Sequence, residues 1–173
     1  SNRSIFYAKQ AAMQRRSMEE IKNKLANQKE KALPEDEEMQ KVLASLVTTY
    51  EELAANPPEG YEENEKIAAA RKRLDELEVL RSKRIVEQEF NSATEKIKKQ
   101  IEENQGNAEI KEAGEKLLNI YSQIKELKLT AIEARAKERG MVEEKYALEA
   151  QFQEKLKNIR KAAEEAKAKE KTE

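Results

Sequence analysis

The chain has 173 residues, of which 40% are charged, 38% hydrophobic and 5% aromatic, enough length for one domain but too few apolar side chains for a thick core. Its 34 basic and 35 acidic residues leave a net charge of −1, so neither a basic nucleic-acid-binding domain nor a self-repelling disordered chain follows from charge. Cysteine and histidine are both absent, which excludes disulfides, thiol catalysis, zinc–thiolate sites and the commonest general base.

Ala, Glu, Lys, Arg and Leu make up 104 of the 173 residues, above the roughly 50% that marks long helices and coiled coils. Four Gly and three Pro leave few turns. These features predict an all-α protein: an elongated antiparallel coiled-coil bundle of about four helices, the last two long, in a single domain. No apolar run approaches the roughly 20 residues that span a bilayer, and no signal-peptide core is present. A soluble chain is expected. The compartment is left open, since the chain opens at Ser1-Asn2 without Met and a processed start is compatible with it.

The first helix is expected over 2–32. Its seam is Tyr7, Ala11, Met18, Ile21 and Leu25, with polar Gln14 and Gln28 at seam positions. Leu33-Pro34 interrupts it, because proline lacks the N–H and biases the preceding residue away from helix.

A second helix is expected over 35–55. Pro34 suits its opening, and Glu35, Asp36, Glu37 and Glu38 suit the positive end of its dipole. Met39, Leu43, Leu46, Tyr50 and Leu53 form its apolar face. Asn56-Pro57-Pro58-Glu59-Gly60 ends it.

A third helix is expected over 61–104. Ile67, Ala70, Leu74 and Leu77 line its first half, and Val86, Phe90, Ala93 and Ile97 its second. The two sets do not share a heptad frame. The phase slips near Leu80-Arg81-Ser82-Lys83-Arg84, which predicts a distortion rather than a loop.

Gly106 suits the left-handed position that ends this helix, and Asn107 the N-cap of the next. The fourth helix is expected over 108–168, running through Gly140, with a charged tail from 168 to 173 that frays. Steps of three and four from Ile110 reach Ala113, Leu117, Ile120, Ile124, Leu127, Ala131, Ala134, Met141, Leu148, Phe152, Ile159, Ala162 and Ala166. Only Glu138, Lys145 and Lys155 break the series. This seam is expected to be buried against another helix. The tightest packing is expected at Leu43, Leu46, Leu74, Leu77, Leu117 and Ile120. At about 1.5 Å per residue the third helix is on the order of 65 Å long and the fourth nearer 90 Å. The end of the fourth therefore lacks a partner from the third.

No catalytic, cofactor or metal site is expected. Glu-x-x-Glu spacings arise by chance among 33 Glu, and the acidic stretch from Glu35 to Glu65 lacks the Asp/Asn and Gly spacing of a calcium loop. Arg71-Lys72-Arg73 and Arg81-Ser82-Lys83-Arg84 are interleaved with acids and read as a solvated face. Nucleic-acid binding is not expected, for want of a basic domain or a stacking platform.

Ile5, Phe6 and Tyr7 lie beside Arg3, Lys9, Arg15 and Arg16, with no acid before Glu19. This front half suits a membrane surface or an acidic partner. The simpler account is docking on the acidic second helix.

The candidate interaction surface is Arg15 and Arg16 on the first helix with Leu148, Phe152 and Ile159 on the fourth. Partner proteins, or self-association as a weak homodimer limited by Lys155, are the expected contacts. The segments Leu33-Pro34-Glu35-Asp36-Glu37-Glu38 and Ile85-Val86-Glu87-Gln88-Glu89-Phe90-Asn91-Ser92-Ala93 resemble small helical adaptor families of the YlbF/YmcA kind, and the resemblance implies an adaptor role. The expected function is a non-enzymatic coiled-coil structural or protein–protein interaction module. The alternatives are a helical adaptor or chaperone-like regulator holding a client, and a membrane-surface protein.

Overall fold

The computed structural model describes residues 1–27, 31–60 and 64–172, of which 92% are helical. Four helices follow in chain order: α1 (Asn2–Asn27), α2 (Pro34–Ala55), α3 (Glu65–Glu103) and α4 (Ala108–Thr172). No strand occurs among the described residues. The all-α helical bundle read from composition is the observed fold class.

Each boundary has a local cause. The first helix, expected to reach Ala32, stops at Asn27; residues 28–30 lie outside the described set, and 31–33 are not helical. Leu33 is extended (φ −79°, ψ 157°), as the ring of Pro34 requires of its neighbour. Its N–H donates to Asp36 Oδ2 at 3.0 Å, so the acid of the first turn satisfies the N-cap donor. The third helix begins at Glu65, and the expected start over 61–63 lies outside the described residues. Asn64 caps it, its Oδ1 accepting from the N–H groups of Lys66 and Ile67 at 2.9 and 3.3 Å. Gly106 takes φ 89°, and Asn107 Oδ1 accepts from Ile110 N–H at 3.2 Å, so the expected stop and start both form. α4 runs unbroken through Gly140 and stays helical to Thr172, beyond the expected fraying point at 168.

Contacts divide the chain into two units, Ser1–Ile132 and Glu133–Glu173. The core of the first joins Tyr7 and Ala11 of α1, Leu43, Leu46 and Tyr50 of α2 and Ile67 of α3, with Met18, Ile21, Leu53, Ala70 and Leu74 packed around it. Tyr7 and Tyr50 stack with ring centroids 6.3 Å apart. The Tyr50 hydroxyl accepts from Arg71 at 3.0 Å, which gives a buried aromatic its polar partner. Leu46 and Leu77 are 2% and 1% exposed, so truncating either costs roughly 2–5 kcal/mol.

As expected, no loop interrupts α3 at 80–84. The change of frame marks a change of partner. Ile67, Leu74 and Leu77 belong to the half that packs with α2, while Phe90, Ala93 and Ile97 face the first part of α4.

The seam expected on α4 is corrected by the structure. Leu117, Ile120, Ile124 and Leu127 are 46%, 50%, 43% and 71% exposed. The face turned to α3 is the neighbouring one, where Gly114, Leu118, Tyr121, Ser122, Lys125, Leu129 and Ile132 are the half-buried positions. Two causes select it. Gly114 lies against Ile101, whose side chain a Cβ at that position would overlap, so the missing Cβ permits close approach there. Lys125 and Lys128 meet Glu87 and Glu89 of α3 at 3.8 and 3.9 Å, and Lys125 Nζ lies 4.3 Å from the Phe90 ring centroid. The first part of α4 is thus apolar on two faces, of which α3 covers one.

Candidate interaction surfaces

Three features of the first unit bear on function: a buried ion-pair cluster, a groove and the outward apolar stripe. The cluster sits where α2 begins. Glu35 and Asp36 are buried. Glu35 accepts from Arg84 Nε at 2.8 and 2.9 Å and from Arg84 Nη2 at 2.7 Å. Asp36 accepts from Arg81 Nε through Oδ1 at 2.7 Å while Oδ2 serves the Leu33 cap. The arginines read as a solvated face are therefore the anchors of α2 on α3. The hydrogen bonds from Arg84 hold the Glu35 carboxyl below its ordinary value of 4.5, against the opposing effect of burial. The sequence signal was present: four consecutive acids at a helix start and two arginines three apart at a frame slip. Charge patterning alone did not join them.

Val86, Phe90 and Ala93 of α3 and Tyr121, Ile124, Lys125 and Lys128 of α4 line a groove along the α3–α4 contact. Its floor is apolar, and Lys125 and Lys128 stand at its edge with Glu89. Ile124 belongs both to this groove and to the outward stripe.

The residues picked from sequence fall in separate places. Arg15 is ion-paired with Glu51 of α2, so the expected docking of the basic helix on the acidic one forms and engages it. Arg16 stays exposed on the outer face, as do Ile5, Phe6 and Met13. Leu148, Phe152 and Ile159 lie in the second unit, where every described residue from Gly140 onward except Leu156 is exposed. Met141, Leu148 and Phe152 line a shallow surface depression there with Glu144, Lys145 and Glu149. The α1 pair belongs to the first unit and the α4 trio to the second.

Among the described residues no group of three acidic side chains could hold a metal ion. None of the described helices is long and apolar enough to cross a membrane. In comparisons with known proteins, the chain matches no family model, no curated protein and no solved structure.

Proposed function

We propose that the chain is a non-enzymatic coiled-coil interaction module whose binding surface is helix and not pocket. One observation carries this reading. Ile110, Leu117, Ile120, Ile124 and Leu127 form a heptad-spaced stripe that is left exposed among the described residues, although the adjoining face of the same helix is docked on α3. Aliphatic residues at every seam position are an unneeded cost on a solvated face and a requirement on a partnered one. The absence of His and Cys supports a non-enzymatic role. The exposed trio of the second unit, Leu148, Phe152 and Ile159, offers a further contact of the same kind. A second reading, membrane-surface contact, draws on α1, where Ile5, Phe6 and Met13 face outward near Lys9 and Arg16.

Capture from the native cell extract tests the proposal. Wild type is compared with Ile124→Asp, Phe152→Asp and Arg16→Glu, each checked by circular dichroism. The interaction reading expects unchanged helicity and bound proteins lost on the apolar variants. Retention of every bound protein by Ile124→Asp and Phe152→Asp contradicts it. Binding to anionic vesicles that Arg16→Glu abolishes would favour the membrane reading instead.

A further inference from the structure

We infer that the α4 stripe from Ile110 to Leu127 is covered by the same stripe of a second copy, running antiparallel, with Leu117 of one copy against Ile120 of the other. The inference rests on the interaction-module reading and names its occupant. The stripe holds Ile110, Ala113, Leu117, Ile120, Ile124 and Leu127, with no charge at any of the six positions. A knobs-into-holes seam needs a partner with the same 3–4 spacing, and a second copy has it by definition.

Residue size decides the direction. In a parallel, in-register pair Ala113 would meet Ala113 of the other copy, leaving a thin layer. Ile120 would meet Ile120 at a d position, where isoleucine disfavours two-stranded parallel packing. Reversal removes both defects. It sets Ile110 against Leu127, Ala113 against Ile124 and Leu117 against Ile120, so each small residue faces a large one and the six layers are symmetric about one two-fold axis. The flanks agree with this register. Glu109 falls opposite Thr130, and Lys116 opposite Gln123, so no like charges oppose.

Area sets the strength. The five large side chains of the stripe are between 41% and 71% exposed. Burying all of that exposed surface would remove at most about 900 Å² for the pair, which lies at the weak end of specific interfaces. The dimer is therefore weak and concentration-dependent.

The cysteine-free chain makes the register directly measurable. Ile110→Cys and Leu127→Cys are prepared as separate full-length variants. Both positions are exposed, so neither substitution disturbs the core. In the inferred dimer, position 110 of one copy adjoins 127 of the other. Like positions are 17 residues apart along the axis, about 25 Å. A short thiol cross-linker is then expected to give a mixed adduct in severalfold excess over both like–like adducts combined. Random collision gives equality. Wild type is also expected to rise in sedimentation mass above 19.9 kDa with concentration, while Ile120→Asp stays at that mass.

Like–like adducts in each variant alone overturn the antiparallel register. A wild-type mass fixed at 19.9 kDa at every concentration, with no adduct, overturns the second copy as occupant. In that case the capture experiment decides the parent reading separately. Loss of a bound protein on Ile124→Asp leaves the interaction module standing with a different chain on the stripe.

Discussion

Ile97 of α3 and Leu117 of α4 lie in the same helix pair and were both assigned to seams, yet the structure separates them. Ile97 is 9% exposed and Leu117 is 46% exposed. Cutting Ile97 to Ala removes buried methyl and methylene groups at about 0.8 kcal/mol each and leaves a cavity on the α3–α4 contact, for a total of about 3 kcal/mol. Cutting Leu117 to Ala removes groups that are already half solvated and opens onto water, so the transfer loss is halved and no closed cavity forms. About 1 kcal/mol is expected in the monomer. For a chain of this size about 1 kcal/mol moves the thermal midpoint by roughly 2–4 °C, so Ile97→Ala should lower it about three times as far as Leu117→Ala. The assay is thermal and urea unfolding followed by far-ultraviolet circular dichroism, at a protein concentration where the mass is monomeric. Equal losses for the two variants would refute the assignment of the outward face. They would show that the Ile110 stripe is buried within the chain.

Acidification should weaken the joint between α2 and α3. Glu35 holds its proton less tightly folded than unfolded, so its contribution is fully present above about pH 4.5 and is lost as pH falls through the depressed folded value. Arg84→Gln removes the main cause of that depression and should flatten the acid limb of a stability–pH curve; an unchanged limb would show that other carboxylates set it. Asp36→Ala takes away a buried acceptor of two hydrogen bonds, one from a guanidinium, and should cost about 3 kcal/mol in urea titration. Glu38→Ala breaks only the half-exposed pair with Arg73 and should cost about 1 kcal/mol or less, so equal losses would contradict the burial of the cluster. Gly140→Ala meets open space inside a continuous helix and should stabilise α4 by about 1 kcal/mol, read as greater helicity on heating; a loss would mean that the helix bends at Gly140.

The helix count, the breakers and the caps were legible because each rests on local chemistry. Pro34, Asn107 and Gly106 act through their own backbone and side chains, and they end or begin helices where expected. The inner face of α2 was legible for a related reason, since Leu43, Leu46 and Tyr50 form the only strong apolar face on that helix. α4 was not, because two apolar stripes lie about 100° apart on it. Stepping from Ile110 finds one, and stepping from Leu118 through Tyr121, Leu129 and Ile132 finds the other. The choice between them depends on the missing Cβ of Gly114 and on pairing of Lys125 and Lys128 with acids of α3, which are tertiary facts. The Glu35–Arg84 and Asp36–Arg81 pairs were hidden likewise, since partners 49 and 45 residues apart carry no local signature. Of the candidate surface, Leu148, Phe152 and Ile159 are exposed, whereas Arg15 is engaged by Glu51, a partner 36 residues away that leaves no local signature.

The described residues leave the Ile110–Leu127 stripe of α4 open, and the proposed second copy covers it. Both halves are read by the labelling rate of the single thiol in Leu117→Cys, measured against protein concentration. The account predicts a rate close to that of a free thiol in dilute solution, falling several-fold as concentration rises and the dimer forms. A thiol protected at every dilution would place the stripe inside the chain's own core, and a fast rate that never slows would show that no second copy binds there.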